Sequence, residues 1–89
     1  MKNFVVVKTK EYMFNNKTET FNVSGSESDC FDVITKDIDK EKIGWSNITD
    51  KKRKYEVNKT SDTVELIVHK NNNVNSNIVC TVKYNIKSV

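Results

Sequence analysis

The chain has 89 residues but no proline, alanine or glutamine, and only one leucine, one arginine, one histidine, one tryptophan and two glycines. Without alanine, and with Leu66 as the sole leucine, the strongest helix formers are nearly missing, which argues against a helical bundle. Two glycines, Gly25 and Gly44, cannot build a glycine-rich phosphate loop. Two cysteines, Cys30 and Cys80, are too few for a disulfide framework. No apolar run approaches the roughly 18 residues that a membrane-spanning helix needs. The start, Met1 to Lys8, carries only a short apolar patch and no small-residue cleavage site, so it reads as a first strand rather than a signal peptide.

What is present points to sheet. Apolar residues make up 36% of the chain, below the usual ~45–50%, yet valine, isoleucine and threonine are abundant. These β-branched side chains are stiff and fit a pleated surface, so a folded, strand-rich domain is expected despite a mean hydropathy of −0.64. At this length one domain with a thin core is expected over residues 1–89. Heavy use of lysine, asparagine and isoleucine is what an AT-rich coding sequence produces. That places the origin, as an expectation, in a bacteriophage or other mobile element.

The stretch from Arg53 to Ile86 organises the reading. Tyr55 and Val57, then Val64, Leu66 and Val68, then Cys80, Val82, Tyr84 and Ile86 share one parity and can face a core. The other parity, from Glu56 and Ile67 through His69 to Thr81 and Lys83, forms a mostly solvated face. Turns are expected at Lys59–Asp62 and at Asn71–Asn77, the latter with no apolar anchor but Val74. Upstream, Phe4 to Phe14 reads as a long strand, Asn15-Asn16-Lys17 as a hairpin tip and Thr18 to Val23 as the returning strand. Apolar residues on both faces of the first strand suggest a central place in the sheet or burial at both ends of its length. Ser24 to Asp29 has helix-start character, and Phe31, Ile34 and Ile38 follow at helical spacing, predicting one amphipathic helix of about three turns. Asp29, Asp32, Lys36, Asp37, Asp39 and Lys40 are assigned to its solvated side. Glu41 to Asp50 reads as a short strand or a loop, because Gly44 interrupts a helix, with Trp45 as a packing anchor. The order is therefore ββαβββ: an α+β domain with one antiparallel sheet and one helix on one face, a curled, partly closed sheet being the alternative.

Candidate chemistry is sparse. Cys30, Cys80, His69 and a carboxylate have no recognised zinc spacing. A cysteine–histidine nucleophile is disfavoured because His69, expected to be half-exposed, points away from both thiols. The carboxylates Glu27, Asp29, Asp32, Asp37, Asp39 and Glu41 lack the fixed spacing of a calcium loop and the cleft of a hydrolase. Neither an enzyme nor a cofactor is expected. A Cys30–Cys80 bridge and the sequons at Asn16, Asn22, Asn47 and Asn58 would matter only in a secreted protein; two buried thiols and a cytoplasmic location are the expectation.

Charge is polarised. Residues 27–50 carry a net −4 and residues 51–89 a net +5 within an overall +3. Lys51, Lys52, Arg53 and Lys54 form the densest basic point. With the asparagines Asn71, Asn72, Asn73 and Asn75 they are the expected contact residues, since loops carry binding more often than the strands beneath them. The function expected is a small, non-enzymatic protein-binding factor that inhibits or redirects a host macromolecule. The alternative is a nucleic-acid accessory protein using the same basic turn, held down by the modest net charge and by the lack of aromatic stacking platforms. No membrane partner is expected, and the oligomeric state stays open.

Overall fold

Five strands and one helix follow in the order β1 (Lys2–Tyr12), β2 (Asn15–Gly25), α1 (Glu27–Ile48), β3 (Tyr55–Lys59), β4 (Thr63–His69) and β5 (Ile78–Ser88). The computed structural model describes residues 2–12, 15–48, 53–73 and 75–89, with the side chains of residues 46–48 left aside. The sheet is antiparallel with strand order β2-β1-β5-β4-β3, and α1 lies on one face. The sheet is open, not closed, so the α+β expectation holds and the curled alternative does not. Long strands give an elongated domain of 43 × 23 × 22 Å.

The alternation in β1 explains its central position. Phe4, Val6 and Lys8 are buried under the helix, while Val5 and Val7 are half-buried on the other face, between β2 and β5. Beneath α1, the core gathers Phe4, Val6 and Val23 with Val64, Leu66, Val68, Cys80, Val82 and Tyr84. Ile34, Ile38, Cys30 and Trp45 close it from the helix. Both cysteines are buried free thiols.

Three boundaries differ from expectation. The β1–β2 ladder runs out to Tyr12 opposite Asn15, so Asn15, Asn16 and Lys17 are strand residues and not a tip. Phe14, expected to end the first strand, lies outside the described residues together with Met13, and Val74 does too. The helix is 22 residues long rather than about three turns, and the expected strand or loop over Glu41–Asp50 is helix as far as Ile48. Gly44 costs this helix about 1 kcal/mol relative to alanine. Burial of Trp45, at 5% exposure, offsets that cost and carries the helix past it.

The helix start is built as its sequence suggests. The Asp29 amide donates to Ser26 Oγ (3.4 Å), and the Ser26 amide donates back to Asp29 Oδ2 (2.8 Å), a reciprocal cap. Gly25 precedes it with φ of +138°, and a β-carbon there would run into the Asp29 carboxylate.

Candidate functional site

Two polar constellations stand out, one inside the molecule and one at its end. The inner one lies between α1 and the sheet. Lys8 Nζ sits 2.7 Å from Asp37 Oδ2 and 2.8 Å from Glu41 Oε1, and Lys10 Nζ sits 2.8 Å from Glu41 Oε2. The Tyr84 hydroxyl donates to Asp37 Oδ2 at 2.5 Å. Lys8 is only 5% exposed and Tyr84 fully buried. The assignment of Asp37 to a solvated helix face is therefore corrected, and Glu41 joins it. Both carboxylates lie on the stripe that Ile34, Ile38 and Trp45 continue, facing lysines whose parity on β1 is that of Phe4 and Val6.

This arrangement fixes protonation states. Burial works against the Lys8 ammonium, but hydrogen bonds to Asp37 and Glu41 outweigh it and the pKa is raised. Burial likewise opposes the Glu41 carboxylate, and hydrogen bonds from Lys10 and Lys8 outweigh it, so its pKa is lowered. Tyr84 is pushed far up, by burial first and then by Asp37, and stays a neutral phenol. Each charge is answered from within the chain. Next to this network, Lys10, Tyr12, Asp37, Lys40, Glu41, Gly44 and Trp45 line an open recess of about 420 Å³. Tyr12 and Trp45 meet edge-to-face there, with ring centroids 5.0 Å apart.

The outer constellation joins segments far apart in sequence. The Lys54 amide donates to the Asn71 carbonyl (3.1 Å), and the His69 amide donates to the Lys54 carbonyl (2.9 Å). Lys54, Lys70, Asn71, Asn72, Asn73 and Asn75 are all exposed around this junction. Arg53 is half-buried, with its guanidinium carbon 5.1 Å from the Trp45 ring centroid. Among the described residues its Nε is buried without a hydrogen-bond partner, and one terminal nitrogen donates weakly to the Lys70 carbonyl (3.5 Å). The guanidinium thus stacks against an aromatic face. Of the expected contact residues, Lys51 and Lys52 lie outside the described residues.

His69 holds this end together. It is 4% exposed, not half-exposed as expected, although it occupies the outer face of the sheet. A register shift at Val68/His69 accompanies its place at the end of β4. Nε2 lies 2.7 Å from Glu56 Oε2, and Nδ1 lies 3.1 Å from the Ser76 carbonyl, so the loop after β4 folds over the ring. Two acceptors, one at each nitrogen, favour the imidazolium, and the pKa is raised, first by Glu56 and then by the Ser76 carbonyl. Ser76 also organises the loop, donating to the Asn73 carbonyl (2.6 Å) and accepting from the Asn71 amide (3.1 Å). The asparagine-rich loop, for which the sequence offered only Val74 as an apolar anchor, is therefore held by a polar one.

Neither cysteine is set up as a nucleophile. Burial pushes both thiols up, and for Cys30 the nearby Asp29 and Glu27 add to it. Among the described residues there is no group of three potential metal ligands, and no helix is long and apolar enough to cross a membrane. No protein family, curated protein or solved structure matches this chain.

Proposed function

We propose that this is a non-enzymatic binding protein whose partner is another protein with an acidic surface, engaged at the end of the sheet where Lys54, Lys70 and the Asn71–Asn77 loop meet. One observation carries the reading: backbone hydrogen bonds fuse these two segments into a single exposed surface around an anchored histidine. Lys54 and Lys70 have no carboxylate partner there among the described residues, whereas Lys8 and Lys10 are fully engaged inside. Unpaired basic residues beside asparagine amides can steer an acidic partner and then hydrogen-bond to it. The wider expectation of an inhibitor carried by a phage or mobile element rests on composition alone, and the proposal is confined to the binding step.

The test is a comparative capture from the cell of origin, using the wild-type protein and a Lys54→Glu/Lys70→Glu variant, with and without nuclease. A protein retained after nuclease treatment by the wild type and lost by the variant supports the proposal. Capture that disappears with nuclease selects the nucleic-acid alternative. Equal capture by both proteins removes this surface from consideration.

A further inference from the structure

The two edges of the sheet are unlike. β3 is a short edge of five residues, whereas β2 presents eleven, from Asn15 to Gly25, in an unbroken register with β1. Long flat edges are templates for pairing, and proteins blunt them with proline, bulges, short strands or unmatched charge. β2 has none of the first three, and residues 15–20 are all exposed. Its only charges are Lys17 and Glu19, two residues apart on the helix-side face that Phe21 and Val23 also share. Within the chain they are left over. Lys17 lies opposite Lys10, which pairs with Glu41, and Glu19 lies opposite Lys8, which pairs with Asp37 and Glu41. Among the described residues, neither Lys17 nor Glu19 has an ion-pair partner.

From this edge we infer that a second copy of the chain pairs with β2 antiparallel about a two-fold axis through Thr18, setting Lys17 of each copy against Glu19 of the other. Directly opposed residues in an antiparallel ladder share a face, so the axis is normal to the sheet and every symmetric register centres on one residue. Centring on Lys17 or Glu19 sets like charges against each other. Centring on Thr20 sets Glu19 against Phe21 and Lys17 against Val23. Thr18 alone among these centres matches both charges, twice, and places Asn16 opposite Thr20 and Thr18 opposite itself, a polar ladder on the other face. The product is a ten-stranded sheet with both helices on one face. It uses the edge away from β3, so it stands independently of the binding surface proposed above.

Sedimentation equilibrium from micromolar to millimolar loading is the test. The wild type is expected at twice the 10.3 kDa chain mass at the upper end. Lys17→Glu and Glu19→Lys each turn two attractions into two repulsions and should weaken the dimer roughly tenfold. The double variant restores opposite charges and should recover the wild-type constant. A wild type that stays monomeric throughout overturns the inference, as does a dimer indifferent to both single changes or a double variant no tighter than the singles. A second measurement guards against misfolded variants. Under oxidation Thr18→Cys should cross-link two copies, because it faces itself across the axis, while Thr20→Cys should not, because its counterpart lies beyond disulfide reach. A cross-link through Thr20→Cys in place of Thr18→Cys overturns the register.

Discussion

Lys8 and Lys54 are both lysines on or beside strands, and the fold uses them in opposite ways. Lys8 is 5% exposed, locked between Asp37 and Glu41 under the helix, with the Tyr84 hydroxyl sharing the Asp37 oxygen. Lys54 is exposed, and its backbone, not its ammonium, does the structural work of joining β3 to the loop after β4. What a lysine means in an alternating pattern depends on what stands opposite. The inner pair carries a fold-wide constraint, whereas the outer ammonium is left available.

The comparison is tested most severely by removing Lys8. Lys8→Ala leaves Asp37 and Glu41 mostly buried with Lys10 as the remaining cation, and breaking a buried pair in this way costs about 3–5 kcal/mol. In a domain whose whole stability is on the order of 5–10 kcal/mol, that is close to unfolding. Urea denaturation of the variant measures it. A loss below about 1 kcal/mol would place Lys8 with the solvated lysines.

This inner network also marks where the sequence ceased to be legible. The strands were readable because Val64, Leu66 and Val68 in β4 and Cys80, Val82, Tyr84 and Ile86 in β5 fall at every second position, and the register sets Glu56, Ile67 and Thr81 side by side on the expected outer face. The helix was readable to Ile38. Beyond it, Gly44 argued for a break, and with Glu41 on the core-facing stripe and Asp37 beside Ile38 no apolar periodicity spoke against that break before Trp45. Only the partner strand reveals that these carboxylates meet Lys8 and Lys10, and a single strand's parity does not show what lies across the gap. The one available signal was that Lys8 and Lys10 share the parity of Phe4 and Val6. His69 was misjudged for a related reason. Its face was read correctly, but a seven-residue polar loop gives no hint that it will close over a ring through the Ser76 carbonyl. The expected contact segments were legible as loops; their junction was not.

The network should next appear in the pH dependence of stability. Glu41 is held below its ordinary 4.5, so its contribution is present above that value and lost as pH falls through the lowered one. Lys8 is held above its ordinary 10.5, and Tyr84 above 10.0, so their contributions are complete below those values and fade as pH rises beyond them. Urea midpoints should therefore fall on the acid side below about pH 5. On the alkaline side the decline begins once pH rises past 6.5, because His69 is held above that value by Glu56 and the Ser76 carbonyl, and it continues beyond 9.0 and 10.0 as the buried thiols and then Tyr84 lose their contributions. In Glu41→Gln the acid-side fall should shrink. A wild-type midpoint that remains level down to pH 3 would contradict the pairing.

A smaller effect of the opposite sign comes from the helix that carries the network. Gly44 has open space where a β-carbon would stand, with nothing within 4 Å, and a helical backbone that alanine adopts readily. Gly44→Ala should stabilise the fold by about 0.5–1 kcal/mol, since glycine loses more freedom on folding. Thermal or urea unfolding against the wild type is the check, and a destabilised variant would show that the helix is not continuous through this turn.

The smallest expected change belongs to the exposed lysines, and there its smallness is informative. Lys54→Glu with Lys70→Glu alters two side chains that have no carboxylate partner among the described residues and retains the backbone bonds from Lys54 to Asn71 and from His69 to Lys54. Stability should stay within about 0.5 kcal/mol of the wild type, the usual range for surface substitutions. The Lys54 ammonium works against the His69 imidazolium, so replacing it with a carboxylate should raise the already raised pKa further, observable as a shifted NMR titration of the imidazole. Unchanged stability together with a shifted histidine would separate the two kinds of lysine, one holding the fold and the other setting only the field that a partner meets. A large loss of stability would mean that the outer lysines are structural after all, and that the binding surface lies elsewhere on the domain.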